Sequence, residues 1–309
     1  MKAFCIFDDF SASCIQQLTE SGIEVTVLEK GKARPTDEEM HLIFQEYDIV
    51  IIGTSQKIHQ WMWKNVTAPR IVATASVGID HIAVPMEKRD LLTILNTPNA
   101  NVQSVAEFTV GAMLMARKRY NEGNSLYQAG KNNKALGRKP EDICGAVVGL
   151  VGAGHISRKI IELLSAFGVR FLCYTKNPEK HEDLTERFDV KFVDLHELAE
   201  QSDIISVNVP NDASTANMID RDTIAKMKNE CIFISVSRAS VVDVEALIMK
   251  AEKHSDFYVT LDLDIIPDLV GKSNGRNIVF TPHIAGGTIE ARKRMFKEIT
   301  ESICKNIIG

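Results

Sequence analysis

Two side chains far apart in the chain, Arg238 and His283, each follow a short apolar run, and together they offer what a carbonyl reduction asks of a protein. Arg238 comes after Cys231-Ile-Phe-Ile-Ser-Val236, and a guanidinium there can clamp a planar carboxylate through two parallel hydrogen bonds, a fork that lysine lacks. His283 lies in Thr281-Pro-His-Ile-Ala-Gly-Gly287, and an imidazole gives and takes a proton near neutrality. Hydride transfer to a carbonyl needs a reduced cofactor, a group that polarises the oxygen and an acid that protonates it. The two residues supply the last two. Singly, each has a plainer explanation, a surface ion pair or a satisfied loop histidine. Their common place at the ends of predicted strands gives the pair its weight.

The reduced cofactor has its own signature. In Ala146-Val-Val-Gly-Leu-Val-Gly-Ala-Gly-His-Ile-Ser157 an apolar run breaks into glycines and then into sequence of helical period. Ala146 to Val151 reads as a strand buried on both faces, Gly152 allows a tight turn, and Gly154 removes a side chain where a pyrophosphate would approach backbone N–H groups, with His155 and Ile156 opening the helix. Ile160, Ile161, Leu163, Leu164 and Phe167 follow at helical spacing, so the positive end of the helix dipole faces that anion. Ser157 stands at the third glycine of G-x-G-x-x-G, a small departure. At the end of the next strand, where a carboxylate normally accepts from the adenosine ribose, stand Thr175, Lys176 and Asn177. Losing the anion and gaining a cation favours NADP, with NAD as the alternative. Further strand-exit residues to inspect are Asn208 to Asn211, including Pro210, and Asp262 to Asp268.

These residues need elements to position them. From Met1 to about Asn96, apolar runs at Ala3–Phe7, Glu24–Leu28, Ile49–Ile52, Ile71–Ala73 and Leu92–Leu95 alternate with helix-like segments, the arithmetic of a parallel sheet covered on both faces. A second series follows the glycine turn: Val169–Tyr174, Val190–Phe192, Asp203–Val209, Cys231–Val236, Phe257–Leu261 and Asn277–Phe280. The expected fold is α/β, two doubly wound parallel-sheet domains with a cleft between them. Residues 1–98 with 285–309 would form one domain and residues 99–284 the dinucleotide domain. Asn96-Thr-Pro-Asn-Ala-Asn101 reads as a hinge before an apolar helix, and residues 119–142 as an exposed arm or loop. In that apolar helix Glu107 and Thr109 are polar exceptions, either a solvated edge or a ligand contact. In the first domain, Ala75-Ser-Val-Gly-Ile-Asp-His-Ile82 follows a strand directly and could hold a carboxylate on free N–H groups.

Composition narrows the partners. A net charge of −5, from 36 basic and 41 acidic residues mixed along 309, gives no electrostatic case for nucleic acid or an anionic membrane surface, so a small molecule is the expected ligand. The six cysteines show no C-x-x-C pairing and suit a reducing cytoplasm, and no metal site is expected. No leader or membrane span is read at the N-terminus.

The motifs resemble those of the D-isomer-specific 2-hydroxy acid dehydrogenases over most of the chain. Ser76-Val-Gly-Ile-Asp-His81 resembles the family's substrate-carboxylate loop, especially that of glyoxylate and hydroxypyruvate reductases, and Val105-Ala-Glu-Phe-Thr109 its interdomain helix. Gly149 to Ser157 is similar to its cofactor turn, Ser237 to Leu247 to its arginine motif and Pro282 to Gly286 to its histidine motif. The resemblance implies that Arg238 orients the substrate and His283 is the acid/base. It further implies that Ser76, Val77 and Gly78 form the carboxylate loop, with the N–H groups of the last two donating, and that Asp262 holds the nicotinamide carboxamide. Thr109 goes with the cofactor residues on the same likeness. It also implies a homodimer built through the nucleotide domain.

The family places a carboxylate, usually Glu, shortly after the Leu-Asp-Val strand end to orient the histidine. Leu261-Asp-Leu-Asp-Ile-Ile-Pro267 offers Ile266 or Pro267 there, and neither accepts a hydrogen bond from a ring. Asp264 or Asp268 could fold back into the role, but turn chemistry and solvation are the expected duty of both. Ala239, where the family usually has glycine, is a further departure. The rival expectation is therefore a dinucleotide-binding sensor or binding protein of the same fold with impaired catalysis.

Overall fold

The computed structural model describes residues 1–67 and 69–308, the last by its backbone alone. Among the described residues the apolar runs become twelve strands in two all-parallel sheets, and the chain divides into unit 1, Met1–Asn101 with Thr288–Gly309, and unit 2, Val102–Gly287. The divisions fall three residues after those read from the sequence.

Unit 1 carries β1 (Lys2–Cys5), β2 (Glu24–Val27), β3 (Ile49–Ile52), β4 (Ile71–Thr74) and β5 (Thr93–Leu95) in the order β2-β1-β3-β4-β5. Its helices are α1 (Ala12–Glu20) and α2 (Asp37–Glu46). Every residue of β3 and β4 is buried, which is why their sequences are continuous apolar runs rather than alternating ones. Helix α2 starts on a reciprocal capping box, Thr36 accepting from the N–H of Glu39 while the Glu39 carboxylate accepts from the N–H of Thr36.

In unit 2 the helices α3 (Val102–Arg117), α4 (Tyr120–Gln128), α5 (His155–Leu164), α6 (Glu182–Phe188), α7 (Leu195–Gln201), α8 (Arg221–Lys226) and α9 (Val244–Lys253) accompany a seven-stranded sheet. Its strands are β6 (Val147–Val151), β7 (Arg170–Tyr174), β8 (Lys191–Phe192), β9 (Ile204–Val207), β10 (Ile232–Ser235), β11 (Tyr258–Asp262) and β12 (Ile278–Thr281). The order β12-β11-β10-β9-β6-β7-β8 is the 3-2-1-4-5-6 dinucleotide order with one strand added at the edge, and it reverses between β6 and β9. At Gly149 in β6 a side chain would lie 2.2 Å from Ser202 Oγ and 2.7 Å from Leu198, so glycine is what lets α7 lie on the strand.

Helix α10 (Ile289–Ile308) belongs to unit 1, where Phe296, Ile299 and Ile303 enter the core and Arg292 pairs with Asp9 while lying over the rings of Phe7 and Phe296. Of the segment 119–142, read as an exposed arm or loop, part is the helix α4. Arg119 starts it in left-handed backbone with φ 50° and reaches Asp256 at 2.8 Å and Glu122 at 2.6 Å, across the ring of Tyr258.

Asp203 ties the entry of the sheet together. It accepts from the N–H of Val147 at 2.8 Å and from Lys228 at 2.7 Å. Burial alone would raise its pKa, but the Lys228 ammonium and the Val147 N–H outweigh it and hold the carboxyl below the ordinary carboxylate value. A depressed pKa contributes stability above the unfolded-state value and loses it as pH falls through the folded-state value. Asp203→Ala is therefore expected to cost about 1–2 kcal/mol in urea unfolding at pH 7. The deficit should begin to narrow below about pH 4 and close as pH falls through the depressed folded-state value, where wild type loses its charge as well; a deficit equal at neutral and at acid pH would assign it to packing.

Candidate active site

The glycine turn joins β6 to α5. Gly152 sits at φ +98°, and a side chain there would meet Val209 Cγ1 at 2.9 Å and Asn208 O at 3.2 Å, so both conformation and space require glycine. Gly154 caps α5 without a side-chain hydrogen bond, and a Cβ built on it would meet nothing within 4 Å. The first turn of a helix leaves its N–H groups without intrahelical acceptors. Exposed Gly154, exposed His155 and half-buried Ile156 thus present donors and a positive dipole end to open space, which fits a pyrophosphate. Ser157, in the third glycine's place, is fully buried and accepts from Asn208 Nδ2 at 3.2 Å. Its hydroxyl pins the neighbouring strand exit and leaves the turn undisturbed.

At the end of β7, Thr175 is half-buried and Lys176 exposed, its Nζ 3.4 Å from Ser214 O. Asp212 lies in the same loop, and Ser214 hydrogen bonds, with Lys176 nearby, hold its carboxyl below the ordinary range. Pro210 is exposed, and its carbonyl accepts from Thr215 at 2.7 Å, closing the turn after β9. Thr109, assigned above to the cofactor, is fully buried, and its hydroxyl donates to Val105 O at 2.8 Å within α3.

Arg238 emerges from β10. The neighbouring Ser237 hydroxyl lies 3.1 Å from Val207 O and 2.9 Å from Val209 O, fastening this exit to that of β9. Ala239 begins a short 3-10 turn outside the left-handed region, so the family's glycine is not needed.

The histidine loop hangs on Asp262. That carboxylate, 1 % exposed, accepts from Thr281 Oγ1 at 2.6 Å, from the N–H of Ile284 at 2.8 Å and from the N–H of Ala285 at 2.8 Å. A buried charge tolerates burial only with such donors. Here the structure shows a duty the sequence reading did not assign: Asp262 shapes the loop. His283 itself has φ +52°, a conformation that costs a non-glycine residue about 1–3 kcal/mol, and the three bonds on Asp262 hold the loop in it.

The imidazole is not alone. Its Nδ1 lies 2.8 Å from Asp264 Oδ1, correcting the expectation that Asp264 serves only the turn. A carboxylate accepts, so Nδ1 carries a proton and Nε2 is left for substrate. The side chain of His283 is 29 % exposed and that of Asp264 76 %. The connection between β11 and β12 makes this possible: Ile266 and Pro267, unable to accept, turn the chain into a 3-10 segment, Pro267–Leu269. Beneath the loop lies a mostly apolar hollow of about 190 Å³ lined by Leu263, Asp264, Ile266, Leu269, Phe280 and Pro282 among others. Arg238 and His283 follow β10 and β12, with β11 between them, and the paired strand residues Ser235 and Phe280 are two strand spacings, about 10 Å, apart at this end of the sheet.

In unit 1, the 76–78 loop follows β4. Ser76 is buried and its hydroxyl donates to Gly78 O at 2.7 Å, while Val77 is exposed and Gly78 half-buried.

A profile of the D-isomer specific 2-hydroxyacid dehydrogenase NAD-binding domain matches residues 110–285. Hydroxypyruvate reductase of Thermotoga maritima is 32% identical over 277 residues, covering 87% of this chain and 88% of that protein. The chain belongs to the D-isomer specific 2-hydroxyacid dehydrogenase family. As a member it is a nicotinamide-dependent oxidoreductase of small 2-hydroxy or 2-keto acids. Glyoxylate reductase of Thermofilum pendens is 31% identical over 300 residues, 93% of this chain and 85% of that one. Among solved structures, an acyclic imino acid reductase (Bsp5) in complex with NADPH and D-Arg shares the fold, with a TM-score of 0.83 at 22% identity over 100% of this dehydrogenase chain and 97% of that one.

Proposed function

We propose that this dehydrogenase reduces a small 2-keto acid of the glyoxylate or hydroxypyruvate class, with Arg238 and His283 as its catalytic residues. The observation that carries this reading is the Asp264–His283 contact, at the exit one strand beyond β11 as Arg238 is one strand before it. The likeness to hydroxypyruvate and glyoxylate reductases supports the choice of acid. Bound nicotinamide supplies or accepts the hydride. Asp264 fixes the ring so that Nε2 faces the carbonyl oxygen and delivers its proton there, and in the reverse direction Nε2 takes the proton back. Arg238 orients the carbonyl and the adjacent carboxylate through its fork. Val77 and Gly78, with Ser76 shaping their loop, are assigned to the substrate carboxylate. Asp262 Oδ2 retains a lone pair that we assign to the nicotinamide carboxamide.

The rival reading, a sensor without turnover, leaned on the missing orienting carboxylate, and Asp264 supplies one. Oxidation of NADPH and NADH at 340 nm with glyoxylate, hydroxypyruvate and pyruvate tests the proposal. Loss of a charge-assisted hydrogen bond in Asp264→Asn should lower kcat about 10- to 100-fold on the best acid. Tight dinucleotide binding with no turnover on any acid would restore the sensor.

For the cofactor we assign Gly152, Gly154, His155, Ile156, Thr175, Lys176 and Pro210, and favour NADPH because Lys176 occupies the place of the ribose-binding carboxylate. The neighbouring Asp212 already takes up part of that cation's field, so the preference should be moderate. Lys176→Ala is expected to raise KM for NADPH about 10-fold and leave KM for NADH within about 2-fold. Equal effects on both would remove Lys176 from the phosphate's recognition. We also assign a homodimer in a reducing cytoplasm, a reading supported by six free cysteines and by Tyr120 and Tyr127 exposed on α4. Light scattering that gave the mass of one chain would reject the dimer.

A further inference from the structure

The 76–78 loop is held by its carbonyl groups. Ser76 O accepts from the N–H of Thr97 at 2.9 Å and from its hydroxyl at 3.2 Å. Val77 O accepts from the side-chain amide of Asn96 at 2.7 Å. Gly78 O accepts from Ser76 Oγ at 2.7 Å, and that hydroxyl lies 2.8 Å from Thr74 Oγ1, which in turn is 3.0 Å from His81 Nε2. Three successive carbonyls are therefore pinned.

A trans peptide points its N–H opposite to its C=O. Pinning Ser76 O on Thr97 turns the Val77 N–H away from Thr97, and pinning Val77 O on Asn96 turns the Gly78 N–H away from Asn96. No protein acceptor takes either N–H among the described residues. Adjacent N–H groups with no partner of their own form a concavity suited to an anion.

We propose that Asn96, through its amide on Val77 O, is a positioning residue that aims the Gly78 N–H at the substrate carboxylate. This rests on the assignment of that loop above and adds a residue the sequence reading placed in a hinge. Thr97 and Ser76 hold the flanking peptides, so the Asn96 amide is the pin on the central one. Asn96 is only half-buried, and its replacement should leave the core of unit 1 intact.

The test compares Asn96→Ala, which removes the donor without adding a charge, with Asn96→Gln, which keeps the donor on a longer arm. KM and kcat for the best 2-keto acid, Kd for NADPH and Tm are measured for each. Asn96→Ala should raise KM about 10-fold, with kcat, dinucleotide Kd and Tm close to wild type, and Asn96→Gln should recover much of the loss. The same Asn96→Ala enzyme should show no such rise with the methyl ester of that acid, which lacks the carboxylate. An unchanged KM in Asn96→Ala, or a fall in kcat and Tm together, would overturn the positioning role while the oxidoreductase reading stood. A wild-type enzyme that reduced the ester as well as the acid would instead overturn the assignment of the loop, and this inference with it.

Discussion

Replacing His283 with glutamine should lower kcat for keto-acid reduction by about 10³-fold, the size of effect that general acid catalysis commands, with Kd for the dinucleotide unchanged. Glutamine can still donate a hydrogen bond to the carbonyl oxygen but cannot transfer the proton. The structure sharpens the expectation because the ring is already restrained, by Asp264 on Nδ1 and by a loop fastened to Asp262. Removing the imidazole therefore removes an acid in place, and the remaining rate measures what orientation alone contributes. A second substitution separates the layers. His283→Gln in an Asp264→Asn background should be scarcely slower than His283→Gln alone, since Asp264 acts through the ring. Additive losses would show that Asp264 serves some other group.

The second large effect is expected at Arg238. Arg238→Lys retains the charge and discards the planar fork, and should reduce kcat/KM for the acid by about 10²-fold, near 2.7 kcal/mol. Arg238→Ala should lose more, and added guanidine should restore part of its activity. Ser237 makes this site sensitive to orientation, since its bonds to the carbonyls of Val207 and Val209 set the direction in which residue 238 leaves β10. Turnover undiminished in Arg238→Ala would disprove the clamp and move carboxylate recognition elsewhere.

The strands were the most legible part of the chain, because a parallel sheet covered on both faces leaves no alternation to read, only apolar runs such as Ile49–Ile52 and Ile232–Ser235. The glycine turn was equally open to reading: Gly152 needs its positive φ locally, within a few residues of the strand that precedes it. Helix α4 was not. Asn121, Gly123 and Asn124 are weak helix formers, and what anchors the segment is an ion pair from Arg119 to Asp256, 137 residues away in sequence. The role of Asp264 was hidden for the same reason. Its side chain is mostly exposed and nineteen residues from His283, so its partner depends on the path of the loop through Ile266 and Pro267. Asn96 read only as the start of a hinge because its contact, on Val77 O, lies nineteen residues back in the chain.

The interval between the strands that Arg238 and His283 follow is set by hydrogen-bond ladders, β10 to β11 and β11 to β12, and so behaves as a ruler cut into the main chain. Side-chain substitution cannot lengthen or shorten it. A descendant of this enzyme that came to prefer a bulkier acid would keep the same spacing of strand ends and find its new room in the loops beyond them.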